Sequence, residues 1–520
     1  MNTEREFNIF GPINPKRHYH VNRIAAKAGL REKVEKGRYF TLTASRQTGK
    51  TTIFREIIAE LTATDEYIGI LLNFEALIDF EKPFFYEELG MKLDEWRERY
   101  ATDAPEPTPM RHHGDFARWL RKTSRQLKKK CVLIIDEYEA VSTDITTPIL
   151  SQFRSLYLGR DEPNAYSPHS ILLVGVSTVQ SLLEGTQSPF NIADQYTVPY
   201  FSEGEVKELL VQHTEATGQI FEEGVFNRVY AQSEGQPFLV NRIGQILTTE
   251  SDIPIDQPIT VQYFEISLIR LVNENNTHFS SIRSKATMHR VRVLSALFSS
   301  KRYYDFQDEV TQELLMYGVM RTVANEQNIE YARIANPIYQ KMLVKAFAPT
   351  NSIIEQTING SVYHRYLVEN NLNFDGLLDS FKAFMEEYGI RLLKSEVTQR
   401  PLEISGQYLL LSYLTAALQS IGGYATIESL SVAGELDILA LYREQRFIVE
   451  VKIWYGNARY EEAQQQLTRY LKAAGLPKGY LVIFDEKLDQ NLVLQEKGNV
   501  FELVVDEKVL RVYLIGISLE

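Results

Sequence analysis

The chain has 520 residues, 44% of them hydrophobic and 24% charged, with a formal net charge of -12. That length exceeds one ordinary domain and sets an expectation of about two to four, while the acidic balance excludes general polyanion binding by the whole surface and leaves room only for a local basic groove. The single cysteine, Cys131, cannot close an internal disulfide, the N-terminus is polar, and no apolar run reaches the ~18 residues of a membrane helix, so a reducing, cytoplasmic location with neither signal peptide nor anchor is expected.

In chain order, Phe7 to Arg23 carries Gly11-Pro12, Asn14-Pro15 and His18-Tyr19 and reads as an irregular segment followed by a helix. The stretch Arg38 to Thr52 then reads as strand, tight loop and helix start. In it, Arg46, Gln47, Thr48, Gly49, Lys50, Thr51 and Thr52 have the pattern of a nucleotide-binding P-loop. The helix opened by Gly49 would aim unpaired N–H groups at a phosphate, Lys50 would add a point charge, and the Thr51 hydroxyl would hold Mg²⁺. Ala44 stands where the motif usually begins with glycine, a change that one methyl permits if φ stays negative. In P-loop ATPases a segment such as Phe7 to Arg23 often lies over the adenine. His20 and Arg23 are candidate contacts there, weighed against the commoner solvated histidine.

Ile68 to Phe74 is a continuous apolar run suited to a strand buried on both faces, with Glu75 just past its end. Pro105, Pro107 and Pro109 make Ala101 to Pro109 a surface loop. Phe116 to Lys130 is an amphipathic helix, and Cys131 to Glu137 is an apolar strand delivering two carboxylates in a Walker B pattern: Asp136 for the metal shell that Thr51 completes, Glu137 to polarise the attacking water. Ile171 to Val176 is another strand, ending in Ser177-Thr178, a pair that either senses the γ-phosphate or simply terminates the strand. Arg154 and Arg160, on the helix between these strands, either act on a neighbouring subunit's nucleotide or form surface salt bridges.

From Ser202 to Leu247 the pattern is helical and ends in Gly235-Gln236-Pro237. Together with Arg46 to Thr52, Ile135-Asp136-Glu137 and Ser188 to Ile192, this resembles the AAA-like ATPases related to the archaeal and signal-transduction (STAND) groups. The resemblance implies that Gly235-Gln236-Pro237 is a lid motif closing on the nucleotide, with Arg242 as a further candidate contact. Thr287 to Lys345 follows the order of a winged helix, although its second helix, Asp305 to Met316, is acidic, which favours a packing or regulatory role over DNA reading. Ala348 to Ser361 reads as a linker.

The C-terminal third carries a second pattern. Gln407 to Leu418 is an apolar-striped helix preceded by Glu403. A strand around Ala425 to Leu430 precedes two adjacent strands, Gly434 to Tyr442 and Phe447 to Ile453, joined by a short turn. Residues two apart on a strand face the same side, so Glu450 and Lys452 point together, with Asp437 on the neighbouring strand. This spacing resembles the PD-(D/E)XK nuclease core, and Gln466 and Tyr470 resemble the Gln-x-x-x-Tyr motif of its RecB-like branch. By that resemblance Asp437 and Glu450 would bind Mg²⁺ or Mn²⁺, Lys452 would position the attacking water, Gln466 and Tyr470 would support the site, and Glu403, with Gln407 a weaker candidate, would stand in place of the first-helix carboxylate.

The fold expected is therefore α/β: a P-loop AAA-like ATPase with helical lid over residues 1–250, a winged-helix-like domain over 251–347, a linker with connecting helices over 348–395 and a PD-(D/E)XK restriction-endonuclease-like domain over 396–520. The function expected is an ATP-regulated, Mg²⁺-dependent nuclease acting on nucleic acid, with DNA favoured over RNA, no membrane partner, and an architecture compatible with a homo-oligomer. The alternatives are an ATP-dependent switch whose nuclease-like domain binds nucleic acid or a partner without cutting, and, less favoured for want of a helicase motif set, a motor moving on DNA.

Overall fold

The computed structural model describes residues 5–78, 81–107, 109–163, 165–176, 194–298, 308–324, 330–347, 366–369, 371–393, 403–419, 421–426, 429–430, 434–435, 438–485 and 498–516. The chain divides into two compact units, Met1–Ile282 with Gln312–Met320, and Arg283–Thr311 with Arg321–Glu520. Among the described residues no helix is long and apolar enough to cross a membrane.

The first unit is built on a five-stranded sheet of β1 (Tyr39–Thr43), β2 (Tyr67–Asn73), β3 (Lys130–Asp136), β4 (Ser170–Gly175) and β5 (Asp194–Thr197) in the order β2-β3-β4-β1-β5. Every pairing is parallel. Central strands of such a sheet are covered on both faces, which is why β3 and β4 read as apolar runs, while the equally buried β1 carries Thr41 and Thr43 among its apolar residues. Alternation along each strand splits them between two cores. Leu133, Ile135, Ile171 and Leu173 join α3 (Lys82–Tyr100), α4 (His113–Leu127) and α5 (Thr143–Leu158) on one face. Phe40, Leu42, Ile134 and Val174 join α1 (Ile24–Glu35) and α2 (Lys50–Thr62) on the other. The chain leaves β1 for β2 across two intervening strands, so the carboxyl ends of β1 and β4 flank a topological switch point, where open α/β sheets form their binding crevice. Helices Glu203–Thr217, Glu223–Ser233, Pro237–Gln245 and Val261–Val272 follow. The first of these is closed by a capping box between Ser202 and Glu205.

The boundary between the units runs through the segment read as a winged helix, since Gln312–Met320 clusters with the first unit. That segment contains helices Arg290–Phe298 and Glu309–Met316, the paired strands β6 (Met320–Ala324) and β7 (Glu330–Ile334), and helix Pro337–Phe347. The linker read at Ala348 to Ser361 lies outside the described residues.

In the second unit, two short pairs, β8 (Leu367–Val368) with β9 (Asn371–Leu372) and β11 (Ser429–Leu430) with β12 (Gly434–Glu435), accompany a six-stranded mixed sheet. The larger sheet has the order β10-β13-β14-β15-β17-β16, formed by β10 (Tyr424–Thr426), β13 (Ile438–Tyr442), β14 (Gln445–Ile453), β15 (Lys478–Asp485), β16 (Val500–Val505) and β17 (Lys508–Gly516). β10, β13 and β14 form an antiparallel meander, whose second turn passes through Arg443 at φ 52°. β15 is parallel to β14 and reached through helix Asn457–Ala474. Ile448, Leu481, Ile483, Val512 and Leu514 pack with Ala463, Leu467, Tyr470 and Leu471 of that helix.

Candidate functional site

The P-loop begins where β1 ends. Gln47 (φ 57°) and Gly49 (φ 85°) take left-handed conformations, and Gly49 is the residue that opens α2. Ala44 is not among the residues with positive φ, which is the physical reason a methyl is tolerated in place of the usual first glycine. Lys50 is buried and turns back onto its own loop, donating from Nζ to the carbonyls of Ala44 (2.8 Å) and Ser45 (3.4 Å). Burial pulls its pKa down, opposed by the charges of Glu137, Glu139 and Asp136. Thr48 closes the loop from within by donating to Ser45 O at 2.9 Å, while Arg46 and Gln47 are exposed at its tip. Thr52 Oγ1 accepts from the Ile13 N–H at 3.5 Å, which ties the N-terminal segment to α2.

β3 delivers Asp136 beside this loop, and Thr51 Oγ1 donates to Asp136 Oδ2 at 3.2 Å. Asp136 is 7% exposed, and burial, reinforced by the neighbouring Glu137, pushes its pKa up to about 6. Its Oδ1 is buried with no hydrogen-bond partner among the described residues. Glu137 sits at φ 51°, a left-handed conformation uncommon for a side-chain-bearing residue and a frequent mark of functional strain. Burial raises its pKa, opposed first by Lys50.

Glu139 was not singled out from the sequence. Its Oε1 accepts from the Val176 N–H at 2.5 Å, and its Oε2 lies where a Cβ on Gly175 would come within 2.0 Å. The legible signal was the third carboxylate of Asp136-Glu137-Tyr138-Glu139 together with a glycine ending β4. Ser177, Thr178 and the segment Ser188 to Ile192 lie outside the described residues.

Arg23 and His20 are tied into the surroundings of the P-loop, and both line the cavity beside it. Arg23 is buried, donates to Thr48 O at 3.1 Å and to Pro199 O, and lies over the Phe201 ring at 5.0 Å. His20 stands 2.6 Å from Glu56 of α2, and its backbone is bracketed by the Gln212 amide, which accepts from His20 N (3.1 Å) and donates to His20 O (2.9 Å). Gln236 is fully buried. Its Oε1 caps helix Pro237–Gln245 by accepting from Leu239 N at 2.7 Å, and its Nε2 reaches Gln47 O at 3.5 Å, so the segment expected to be the lid motif touches the P-loop. Gly235 has φ 75°, and a Cβ there would lie 1.9 Å from Phe201 O, so only glycine fits. Arg242 is instead held by Glu274 (Nε to Oε1 2.9 Å), Glu250 and Gln245. Arg160 stacks on Tyr157 at 3.8 Å and donates to Gly37 O, at the end of β1 away from the P-loop. Between the P-loop and helix Pro237–Gln245 lies a cavity whose lining includes Ile9, Val21, Gly49, Phe201, Phe238 and Asn241.

In the second unit Glu450 is 0% exposed and its Oε1 lies 2.7 Å from Lys452 Nζ. Both share the sheet face of Ile448, which packs against helix Asn457–Ala474. On that helix Gln466 Nε2 donates to the Tyr470 hydroxyl at 3.0 Å, as their spacing of one turn allows. Asp437 lies outside the described residues, as does the side chain of Glu403. Gln407 is buried. Asp485, which the sequence reading passed over, is buried at the end of β15, two residues beyond the Ile483 that pairs with Lys452. Among the described residues no group of three or more His, Cys, Asp or Glu side chains is arranged to hold a metal.

No family model matches the sequence, and no curated protein matches it. Solved structures similar to the chain include a Walker-type ATPase of Pyrococcus abyssi, with a TM-score of 0.46 at 17% identity over 65% of this chain and 99% of that one. The ORC1 protein of Aeropyrum pernix in complex with DNA gives 0.33 at 12% identity over 63% and 93%, respectively. The RuvB Holliday junction branch migration motor of Thermotoga maritima gives 0.33 at 13% identity over 60% and 92%.

Proposed function

We propose that the first unit binds and hydrolyses ATP with Mg²⁺ and that the second is a metal-dependent nuclease of the PD-(D/E)XK type, DNA being the favoured substrate. The observation carrying the first half is the hydrogen bond from Thr51 to a buried Asp136 directly behind a P-loop whose lysine is held by its own loop carbonyls. The donor set fits Mg²⁺. Thr51 and Asp136 offer hard oxygens, and Asp136 Oδ1 is a buried acceptor left without a partner among the described residues. When bound, the metal would neutralise phosphate oxygens and fix their orientation. Lys50, at the start of α2, whose first N–H groups have no partner within the helix, would exchange the Ala44 and Ser45 carbonyls for phosphate oxygens. Glu137, with its pKa raised, would orient and deprotonate the attacking water. Phosphate release with Mg²⁺ tests this. Lys50→Ala and Asp136→Asn should abolish hydrolysis, and Glu137→Gln should retain ATP without turning it over. A wild-type protein that binds no nucleoside triphosphate would overturn the reading.

The nuclease reading is supported by the order helix, three-strand meander, helix, parallel strand from Glu403 to Asp485, and by the Glu450–Lys452 pair on its central strand. Asp437 and Glu450 would hold Mg²⁺ or Mn²⁺, with Lys452 placing the water and Gln466 and Tyr470 as support. The complete burial of Glu450 favours a second reading, a switch that binds nucleic acid or a partner without cutting. Cleavage of labelled single- and double-stranded DNA and RNA with Mg²⁺ or Mn²⁺, with and without ATP, separates the two. Cutting that disappears in Glu450→Ala and Asp437→Ala establishes the nuclease, and binding without cutting on every substrate establishes the switch.

A further inference from the structure

The cavity beside the P-loop contains a polar group that phosphate chemistry does not use. Asn241, on helix Pro237–Gln245, is 6% exposed and lines the cavity. Its Nδ2 donates to Pro237 O at 2.8 Å. A carbonyl oxygen only accepts, so the atom facing Pro237 must be the amide NH₂, and this fixes the orientation of the group. The opposite atom is therefore an acceptor, Oδ1, and it is buried without a hydrogen-bond partner among the described residues. Burying an acceptor unsatisfied is costly, so Oδ1 needs a donor from a ligand or an ordered water, and the cavity that Asn241 lines is where a ligand would bring one.

Two other side-chain acceptors of the cavity are engaged. Glu56 faces His20 and Lys27, and Asn8 Oδ1 accepts from the Phe10 N–H. The cavity lining includes the apolar and aromatic side chains of Ile9, Val21, Phe201, Leu209 and Phe238, which suit a flat heteroaromatic ring, together with Tyr19, His20 and Arg23. Phosphates carry no donor at neutral pH, so what Asn241 Oδ1 meets belongs to the other end of the nucleotide.

We propose that Asn241 reads the base, accepting a hydrogen bond from the exocyclic 6-amine of adenine and so selecting ATP over triphosphates whose purine has no donor at that position. A 6-oxo purine in the same orientation would set acceptor against acceptor. The proposal rests on the reading of the P-loop as a nucleotide site, and it assigns to the lid helix the choice of which nucleotide enters.

The test is equilibrium binding of the full-length chain with Mg²⁺ to ATP, 2′-deoxy-ATP, inosine triphosphate and purine riboside triphosphate, which differs from ATP only in lacking the 6-amine. The wild-type chain should bind ATP about tenfold or more tightly than the latter two, with 2′-deoxy-ATP matching ATP. Asn241→Ala should bind ATP and purine riboside triphosphate equally. The wild-type comparison does not depend on how well the variant folds. Equal wild-type affinity for ATP and purine riboside triphosphate overturns the inference and leaves the P-loop reading standing. A loss seen with 2′-deoxy-ATP instead assigns the acceptor to the ribose and also overturns it. Binding of no triphosphate at all overturns both.

Discussion

At the scale of single residues, the candidate ATP site depends on space as much as on charge. Glu139 reaches the end of β4 only because Gly175 has no side chain, since a Cβ there would meet its carboxylate at 2.0 Å. Gly175→Ala should therefore expel Glu139 and leave the Val176 N–H without its acceptor. The expected cost is about 1–3 kcal/mol of stability, together with slower hydrolysis, because Glu139 is one of the carboxylates whose charge opposes the loss of the Lys50 proton. A double-mutant cycle with Glu139→Ala checks the cause. In that background Gly175→Ala should cost markedly less in urea unfolding, and strict additivity would show that the glycine serves something else.

In the sequence Glu139 leaves only the faint signal of a third carboxylate after β3 and Asn241 leaves none, and the reason is physical. Lys50, Thr51 and Asp136 belong to short patterns in which a loop or a strand end prescribes the chemistry. The importance of Glu139 arises from Gly175 on another strand, and that of Asn241 from a cavity wall made by distant segments.

At the scale of elements, legibility follows burial. β3 and β4 are covered on both faces and were readable as apolar runs, whereas β2, whose apolar run was also read as buried on both faces, is an edge strand with Leu71 exposed, and β5, Asp194–Thr197, is a polar edge strand without that signature. The helix expected from Phe116 to Lys130 runs instead over His113–Leu127. It starts earlier because the His112 side chain accepts from Gly114 N, and it stops earlier because Lys128 adopts φ 51°.

A titratable residue packs against helix Pro237–Gln245 from the later helix Thr277–Met288. His278 stacks on Phe238, which lines the cavity, at 4.4 Å and 28°, and burial drives its pKa down to about 3. Folding thus requires the neutral ring. The unfolded chain takes up a proton below pH ~6.5 while the folded chain does not, so stability is fully present above that pH and falls as the pH is lowered toward 3, by up to about 1.4 kcal/mol per unit. Between pH 7.5 and 5 the native chain should lose roughly 2 kcal/mol to this one group. His278→Phe keeps an aromatic ring beside Phe238 and should remove that share of the loss. Urea midpoints at the two pH values decide it, and an identical drop in both proteins would place the acid sensitivity elsewhere.

At the scale of the whole molecule, each unit has its own sheet and its own core, so a defect in one should be readable without the other. The Glu450–Lys452 pair provides the sharpest case because its two members are buried unequally, at 0% and 22% side-chain exposure. Removing the carboxylate in Glu450→Ala leaves an ammonium that can turn toward water on a flexible stem. Removing the ammonium in Lys452→Met leaves a carboxylate at a site with no access to solvent and without this counter-charge, a change that costs about 3–5 kcal/mol when a buried pair is broken in this way. Lys452→Met should therefore destabilise the second unit more than Glu450→Ala, although both should abolish any cleavage, and neither should alter ATP hydrolysis by more than a small factor. Hydrogen exchange resolved by peptide distinguishes the outcomes: β14 and β15 should open faster in Lys452→Met than in Glu450→Ala, with β1 and β3 unchanged in both. Equal destabilisation by the two substitutions would mean that Glu450 is held by neighbours other than Lys452. The pair would then be a structural feature of the sheet rather than a strained site retained for chemistry.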